Sequence, residues 1–172
     1  FSYFPKNMVY FNKKGEKKMY FITAIGIIFL DIWTKYMICQ KVKEGRKIEI
    51  VKKRLFLWHI KNKGAAYNSF EGHIKEIKVV SILGIAYCMF QMITGKNKTG
   101  YTFVLGGAIG NFIERVKYGA VTDFLFWDFP CKAKHSLLKK LQKNKPIFNI
   151  ADIFVLLGAL IIVLQTIFQK EN

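Results

Sequence analysis

The sequence contains few of the residues from which metal centres and nucleophilic active sites are usually built. Its 172 residues include three cysteines and three histidines, and no two cysteines have the C-x-x-C spacing of a zinc site. The histidines, His59, His73 and His135, lie outside the long apolar segments. No histidine base therefore accompanies a serine or cysteine nucleophile in those segments, which argues against triad-type catalysis.

Acidic residues are also scarce relative to basic ones. The chain has 28 Lys and Arg against 11 Asp and Glu, a formal net charge of +17 at pH 7. Such an excess favours nucleic acid or an anionic surface as a partner. The lysines, however, lie between apolar runs, form no basic helix, and accompany no nucleic-acid-binding motif. We therefore expect anionic lipid headgroups, and no nucleic acid, as the counterpart of this charge.

Apolar residues are abundant, at 52% of the chain, and they are concentrated in long segments. A helix needs about 20 residues to cross the hydrocarbon core of a membrane. Four segments are predicted to do so, at residues 19–38, 77–94, 99–113 and 146–168. The third is short and contains Gly106-x-x-x-Gly110, a spacing that lets helices approach closely in lipid, so we expect it inside a bundle. Pro146 is expected to open the fourth.

The first apolar segment is interpreted as a retained membrane anchor. It is too long for the apolar region of a secretory signal peptide, and no A-x-A-like cleavage site follows it.

Two longer connections separate these segments. In the first, Ile48, Ile50, Leu55 and Leu57 alternate with charged or aromatic residues, which predicts a small strand pair at the membrane surface, within about residues 45–70. The second, residues 124–145, begins with aromatic residues that suit the headgroup zone and then becomes strongly basic. Residues 136–143 are predicted to form a short surface helix.

The polar residues within and next to the apolar segments are predicted to lie at the same depth, near one face of the membrane. If neither long connection crosses the membrane, the first and third segments end, and the fourth begins, at the same face. The polar residues at these places are Asp31 and Lys35; Asn111, Glu114 and Arg115, with Asp123 just beyond; and Asn149 and Asp152. Each set has helical i, i+3 or i+4 spacing, which puts its members on one side of a helix. Since lipid offers no partners, the sets should face one another.

This arrangement predicts a polar pocket containing Asp123 and Asp152, with two interpretations. The carboxylates could pair with Arg115, Lys35 or Lys117 and only hold helices together. Alternatively, two adjacent carboxylates that share a proton could hydrolyse an amide by acid–base catalysis. An ion- or proton-conducting protein would need polar positions through the full membrane depth, which the second and fourth segments do not provide. A non-catalytic assembly factor is a further alternative.

The order of these motifs resembles that of lipoprotein signal peptidase, the bacterial signal peptidase II family of intramembrane aspartic proteases. The matching stretches, which span roughly residues 19–168, are "DIWTK" (31–35), "NKGAAYNSF" (62–70), "GGAIGNFIERVKYGAVTDF" (106–124) and "FNIADIF" (148–154). The chain departs from the family pattern at Glu114, where the family usually has aspartate, next to Arg115.

The resemblance implies a mainly α membrane protein in which residues 1–172 form one domain. Its four transmembrane helices would carry a small extracytoplasmic β-cradle and a short surface helix. Asp123 and Asp152 would be catalytic, without a metal or an organic cofactor. The residues expected to support the site or bind substrate are Asp31, Lys35, Asn62, Gly64, Ala65, Asn111, Glu114, Arg115 and Asn149.

The resemblance also implies a substrate and a location. The substrate would be a diacylglyceryl-modified prolipoprotein, cut just before the lipidated cysteine by a monomer surrounded by membrane lipids. The protein would be a multi-pass component of the bacterial cell (inner) membrane, with its site toward the extracytoplasmic face. Counting Lys and Arg would instead put the long connections in the cytoplasm; we follow the family orientation. The basic segment 131–145 is interpreted as a surface loop, with a lining of the substrate entrance as the alternative.

Overall fold

A computed structural model describes residues 6–64, 70, 72–128 and 145–169, with the backbone alone for residues 6–14. These residues form four long helices and one small sheet, whose strands follow the first and the third helix in pairs. The helices are α1 (Lys6–Lys41), α2 (Ile74–Thr94), α3 (Lys98–Tyr118) and α4 (Ile150–Gln169). The strands are β1 (Lys47–Val51), β2 (Leu55–Asn62), β3 (Val121–Trp127) and β4 (Ile147–Phe148). They pair in the order β1-β2-β3-β4, and every pair is antiparallel.

The helices expose apolar side chains and bury charged ones. Leu156 is 69% exposed, whereas Asp31 and Lys35 are 0% and 2% exposed. Three helical segments of the described chain are long and apolar enough to cross a membrane: Gly15–Lys41, Ile74–Thr94 and Ile150–Phe168. This distribution is the inverse of a water-soluble protein and is expected where lipid is the solvent. The chain is therefore a multi-pass membrane protein.

Helix α3 lies at the centre and contacts α1, α2 and α4. On its α1 side, a Cβ at Gly106 would fall 2.8 Å from the Cβ of Ile27, and one at Gly110 would fall 2.5 Å from Asp31 Oδ2. On its α4 side, a Cβ at Gly107 would meet the carbonyl oxygen of Ala151. The predicted close approach at Gly106-x-x-x-Gly110 is thus confirmed, and α3 is packed inside a bundle as expected.

Two of the predicted segment boundaries are wrong. Helix α3 continues past residue 113 to Tyr118, and it ends because Gly119 adopts the left-handed conformation, with φ of 68°. Pro146 does not open α4, since Ile147 and Phe148 pair with β3 and the helix begins only at Ile150. The four predicted helical segments all lie largely within observed helices, and α1 begins well before residue 19.

The predicted strand pair is present as β1 and β2, but the sequence did not predict β3. Residues Val121 to Phe124 of this strand are all buried, at 0% to 4% exposure, so the strand has no alternation of polar and apolar positions. It is a central strand covered on both faces, which periodicity does not distinguish from other apolar segments. The predicted surface helix 136–143 and residues 131–144 of the basic segment lie outside the described residues.

The sheet is attached where α1 and α3 end and α4 begins. Two residues separate α3 from β3, and one separates β4 from α4. The Nδ1 of buried His59 on β2 lies 2.7 Å from the carbonyl oxygen of Val42, which directly follows α1. These short connections place the sheet over one end of the helical bundle.

Substitution of Gly107 by alanine should destabilise the bundle, because the new Cβ would meet backbone atoms of Ala151 that cannot move without displacing α4. We expect a loss of about 1–3 kcal/mol, measured as a lower unfolding temperature in detergent. Gly84→Ala is the matched control, since no atom lies within 4 Å of a Cβ at that helical position. Equal stability of the two variants would contradict this account of the α3–α4 contact.

Candidate active site

A capping box at the start of α4 positions Asp152. The backbone N–H of Asp152 donates to Asn149 Oδ1 at 3.0 Å, and the backbone N–H of Asn149 donates to Asp152 Oδ2 at 3.1 Å. This reciprocal pair satisfies two donors that a helix N-terminus leaves free, and the first turn is favourable for an acidic side chain. Asp152, in the first turn of the most apolar helix, is therefore held in place by the N-terminus of that same helix.

Two asparagine amides hold Asp123 on β3. The Nδ2 of Asn62, at the end of β2, donates to Asp123 Oδ2 at 2.9 Å. The Nδ2 of Asn149 donates to Asp123 Oδ1 at 2.8 Å. Each carboxyl oxygen of Asp123 thus accepts a hydrogen bond from a neutral donor, and the two donors come from a neighbouring strand and from the cap of α4.

A third amide, that of Asn111 on α3, completes the connection between the two aspartates. Its Nδ2 donates to Asp152 Oδ1 at 2.8 Å, and its Oδ1 accepts from Asn149 Nδ2 at 3.0 Å. Asp123 and Asp152 line the same cavity of about 280 Å³. Other residues of its wall include Asn62, Asn111, Arg115 and Leu156.

Buried Lys35 pairs with carboxylates other than those of Asp123 and Asp152. Lys35 Nζ lies 2.6 Å from Asp31 Oδ2 and 3.5 Å from Glu114 Oε2, and it donates to Asn111 Oδ1 at 2.7 Å. Asp31 Oδ1 also accepts the backbone N–H of Ala151, at 2.9 Å. In the described part of the chain, neither Asp123 nor Asp152 forms an ion pair. The interpretation that they pair with Arg115, Lys35 or Lys117 is therefore wrong.

Arg115 borders the cavity, and one of its donors has no partner among the described residues. Its Nη2 lies 3.5 Å from the carbonyl oxygen of Gly64, and its buried Nε has no hydrogen-bond partner among the residues described. It does not pair with Glu114, whose carboxylate accepts hydrogen bonds from Thr122 at 2.7 Å. Exposed Lys117 lies over the ring of Tyr118, at 5.0 Å from its centroid.

Burial raises the pKa of the Asp123 carboxyl to about 7 from a usual value of 3.8. The negative charge of Asp152 adds to this rise, while the hydrogen bonds from Asn62 and Asn149 and the charge of Lys35 oppose it. Because burial and a like charge both disfavour ionisation, Asp123 carries a proton below neutral pH. An aspartate that is protonated in this range can act as a general acid.

The structure brings nearly all of the predicted site residues together. Those in one continuous network are Asp31, Lys35, Asn62, Gly64, Asn111, Glu114, Arg115, Asp123, Asn149 and Asp152. Ala65 lies outside the described residues. The sequence did not single out Lys61 and Thr122, which contact Glu114; only the pairing of β2 with β3 brings them to it.

Sequence comparison decides the family. Residues 23–168 match the family model described as signal peptidase (SPase) II. The chain belongs to the signal peptidase II family. The lipoprotein signal peptidase of Enterococcus faecalis is 32% identical to this chain over 89% of its length and 90% of the relative's. That of Halalkalibacterium halodurans is 33% identical over 90% of this chain and 95% of the relative.

Solved structures agree on the fold. A bacterial membrane enzyme determined by the in meso method at 2.3 Å resolution superposes with a TM-score of 0.78, at 24% identity, over 90% of this chain and 91% of that one. A second, at 1.9 Å resolution, gives a TM-score of 0.73 at 25% identity over 87% and 92% of the chains. Membership of the signal peptidase II family implies that the chain is a peptidase.

The raised pKa of Asp123 should make stability pH-dependent. Its folded pKa lies above its unfolded value, so Asp123 reduces stability as the pH rises from about 4 through about 7. In Asp123→Asn this decrease should be smaller. Thermal unfolding in detergent at about pH 4.5 and about pH 7.5 measures it. Asp128→Asn, at an ion pair with Lys145, should retain the wild-type decrease. An equal decrease in Asp123→Asn and wild type would contradict the assignment.

Proposed function

We propose that this chain is an intramembrane aspartic endopeptidase that removes the signal peptide of diacylglyceryl-modified prolipoproteins, cutting just before the lipidated cysteine. The observation that carries the proposal is the pair of Asp123 and Asp152 on one cavity, held by asparagine amides and without a direct ion pair among the described residues. Family membership and the names of the relatives support the substrate.

The two carboxyl groups would have different roles. Asp123, whose pKa is about 7, is the member that we assign as the acid, which would donate its proton to the carbonyl oxygen of the scissile amide. Asp152 accepts N–H donors from Asn111 and from the backbone of Asn149, and we assign it as the base. It would take a proton from a water between the two carboxyl groups, and the water oxygen would attack the carbonyl carbon. Asp152 would then pass this proton to the amide nitrogen as the C–N bond breaks, and Asp123 would regain a proton from one hydroxyl of the diol as the carboxyl product forms.

The same cavity offers groups that could hold the substrate backbone. Buried Arg115 Nε has no hydrogen-bond partner among the residues described, so a peptide carbonyl could accept from it. Holding the scissile bond in place matters because a small misplacement lowers the rate strongly. These contacts lie beside the two aspartates, where the substrate's cleavage site would have to be.

The substrate would enter from the side through the membrane. The cavity wall includes Val155, Leu156 and Ala159 of α4, and Leu156 is also 69% exposed at the outer surface of the bundle. The cavity is therefore bordered by a side chain that faces lipid. A signal peptide is itself an apolar helix, and it could approach along this surface without leaving the bilayer.

We further propose that all four helices cross the membrane within a single domain, as a monomer in the bacterial cell (inner) membrane. Helix α3 is less apolar than the others, but its glycines pack against α1 and α4, which reduces its contact with lipid. The four-stranded sheet would then be the extracytoplasmic cradle, with the two aspartates at that face.

Substitution of either aspartate should abolish cleavage. Asp123→Asn removes the proposed acid and Asp152→Asn removes the proposed base, so each should lower kcat by several orders of magnitude. The measurement is incubation of purified protein in detergent with a diacylglyceryl-prolipoprotein, followed by detection of the shortened product. Asp128→Asn is the matched control and should cleave at the wild-type rate. Appreciable turnover by Asp123→Asn or Asp152→Asn would refute the pair, whereas no cleavage by wild type would refute the substrate.

The proposed orientation has its own test. A reporter fused after residue 97, in the α2–α3 turn, should report the cytoplasm, because helix parity places this turn opposite the site. A reporter fused after residue 135 should report the extracytoplasmic side. A cytoplasmic signal from the second fusion would reverse the orientation and favour the counting of positive charges.

A further inference from the structure

Glu114, near the end of α3, binds the strand that carries Asp123. Its Oε2 accepts the backbone N–H of Thr122 at 2.7 Å, and its Oε1 accepts the hydroxyl of the same residue at 2.7 Å. Thr122 is completely buried and directly precedes Asp123 in β3. One carboxylate thus holds both the backbone and the side chain of the residue next to the proposed catalytic acid.

Two lysines from different elements face this carboxylate. Lys35 of α1 lies 3.5 Å from Oε2, and Lys61 of β2 lies 3.8 Å from Oε1. Lys61 also donates to the Thr122 hydroxyl at 2.6 Å, directly across the strand pair. Charged partners make such hydrogen bonds stronger than neutral ones, so Glu114 attaches β3 firmly to the end of α3.

We infer that Glu114 is a positioning residue, which acts through Thr122 to hold Asp123 against Asp152. The inference rests on the proposed function, since positioning matters only if the two aspartates react together. Glu114 does not line the cavity, and it is 7% exposed with both oxygens occupied. It would therefore act on the reaction through the strand and not by touching the substrate.

The length of the Glu114 side chain allows both of its oxygens to reach Thr122. Glutamate reaches further than aspartate by about one C–C bond, roughly 1.5 Å. With hydrogen bonds of 2.7 Å at both oxygens, an aspartate at position 114 would lose at least one of them unless α3 or β3 moved. The glutamate that departs from the usual family pattern is thus matched in this chain to the position of Thr122.

The test compares kinetics of the full chain in detergent with a diacylglyceryl-prolipoprotein as substrate. Glu114→Gln keeps the size of the side chain but places an amide against donors. We expect kcat to fall by roughly 10- to 100-fold with KM within about twofold. Thr122→Val, which loses the hydroxyl, should also lower kcat. Thr122→Ser, which keeps the hydroxyl, should have a kcat close to that of wild type. Glu44→Gln, in the exposed turn before β1, is the control for the charge change and should leave kcat unchanged.

A pH profile separates positioning from a general loss of folded protein. The wild-type activity should decline at alkaline pH as Asp123 ionises, near its pKa of about 7. The charged groups around Asp123 are Asp152 of α4, Lys35 of α1 and Arg115 of α3. Thr122→Val leaves the charge of Glu114 in place, so if this variant moves Asp123 away from Asp152, its decline should shift to lower pH. A lower kcat with an unchanged profile, or an unchanged kcat, would overturn the inference.

A measurement without catalysis keeps this inference distinct from the proposed function. Hydrogen exchange of the Thr122 amide, detected in the peptide that spans β3, should become faster in Glu114→Gln, because the N–H loses its carboxylate acceptor. It should remain slow in Glu44→Gln.

If wild type does not cleave the substrate, the proposed function fails. If exchange at Thr122 is unchanged in Glu114→Gln, the inference fails. If Glu114→Gln does not fold, the pair Thr122→Val and Thr122→Ser decides the inference by the same profile.

Discussion

The structure depends on one constraint: lipid provides no hydrogen bonds, so a polar group at membrane depth must find its partner within the protein. Asp31 and Lys35 are completely or almost completely buried on a helix whose other faces are apolar. They meet each other, the amide of Asn111, and the N-terminus of α4 through the N–H of Ala151. These contacts join α1, α3 and α4 at one level, and the sheet is then attached to that same end.

The same constraint produces two kinds of carboxylate at one end of the bundle. Asp31 and Glu114 are compensated by lysines, an arrangement in which good geometry offsets the cost of burying charge. Asp123 is held by neutral amides and forms no direct ion pair among the described residues, so burial outweighs the groups that favour its ionised form and raises its pKa. The contacts of Lys35 with Asp31, Glu114 and Asn111 thus keep it out of a direct ion pair with either cavity aspartate.

Much of the site could be predicted from local spacing. The i, i+3 and i, i+4 patterns of Asp31 with Lys35, of Asn111 with Glu114, and of Asn149 with Asp152 place each set on one side of its helix, and the structure bears this out in their contacts. Helix parity, together with the apolar segments, was enough to expect these sets at one level. The close packing at Gly106-x-x-x-Gly110 was predictable because only small residues allow such an approach in lipid.

Other features were not predictable because they depend on which chain segments pair. Strand β3 is buried on both faces and therefore has no periodic pattern, and the start of α4 is set by the pairing of Ile147 and Phe148 with that strand. The partner of Glu114 was not predictable either. Its neighbour on the helix, Arg115, was the obvious candidate, but the carboxylate reaches Thr122 across the turn that follows α3.

The amino-acid sequence by itself determined that this chain spans a membrane and that its buried polar residues lie at one end of the helical bundle. Hydropathy and helical spacing, on which this depends, are local properties. Only the tertiary structure decided which carboxylates are neutralised and which remain available. That outcome depends on distances of a few ångströms between Lys35 of α1, Asn111 of α3 and Asn149, which caps α4. Residues far apart in sequence acquire such distances only when the bundle and the sheet are packed together.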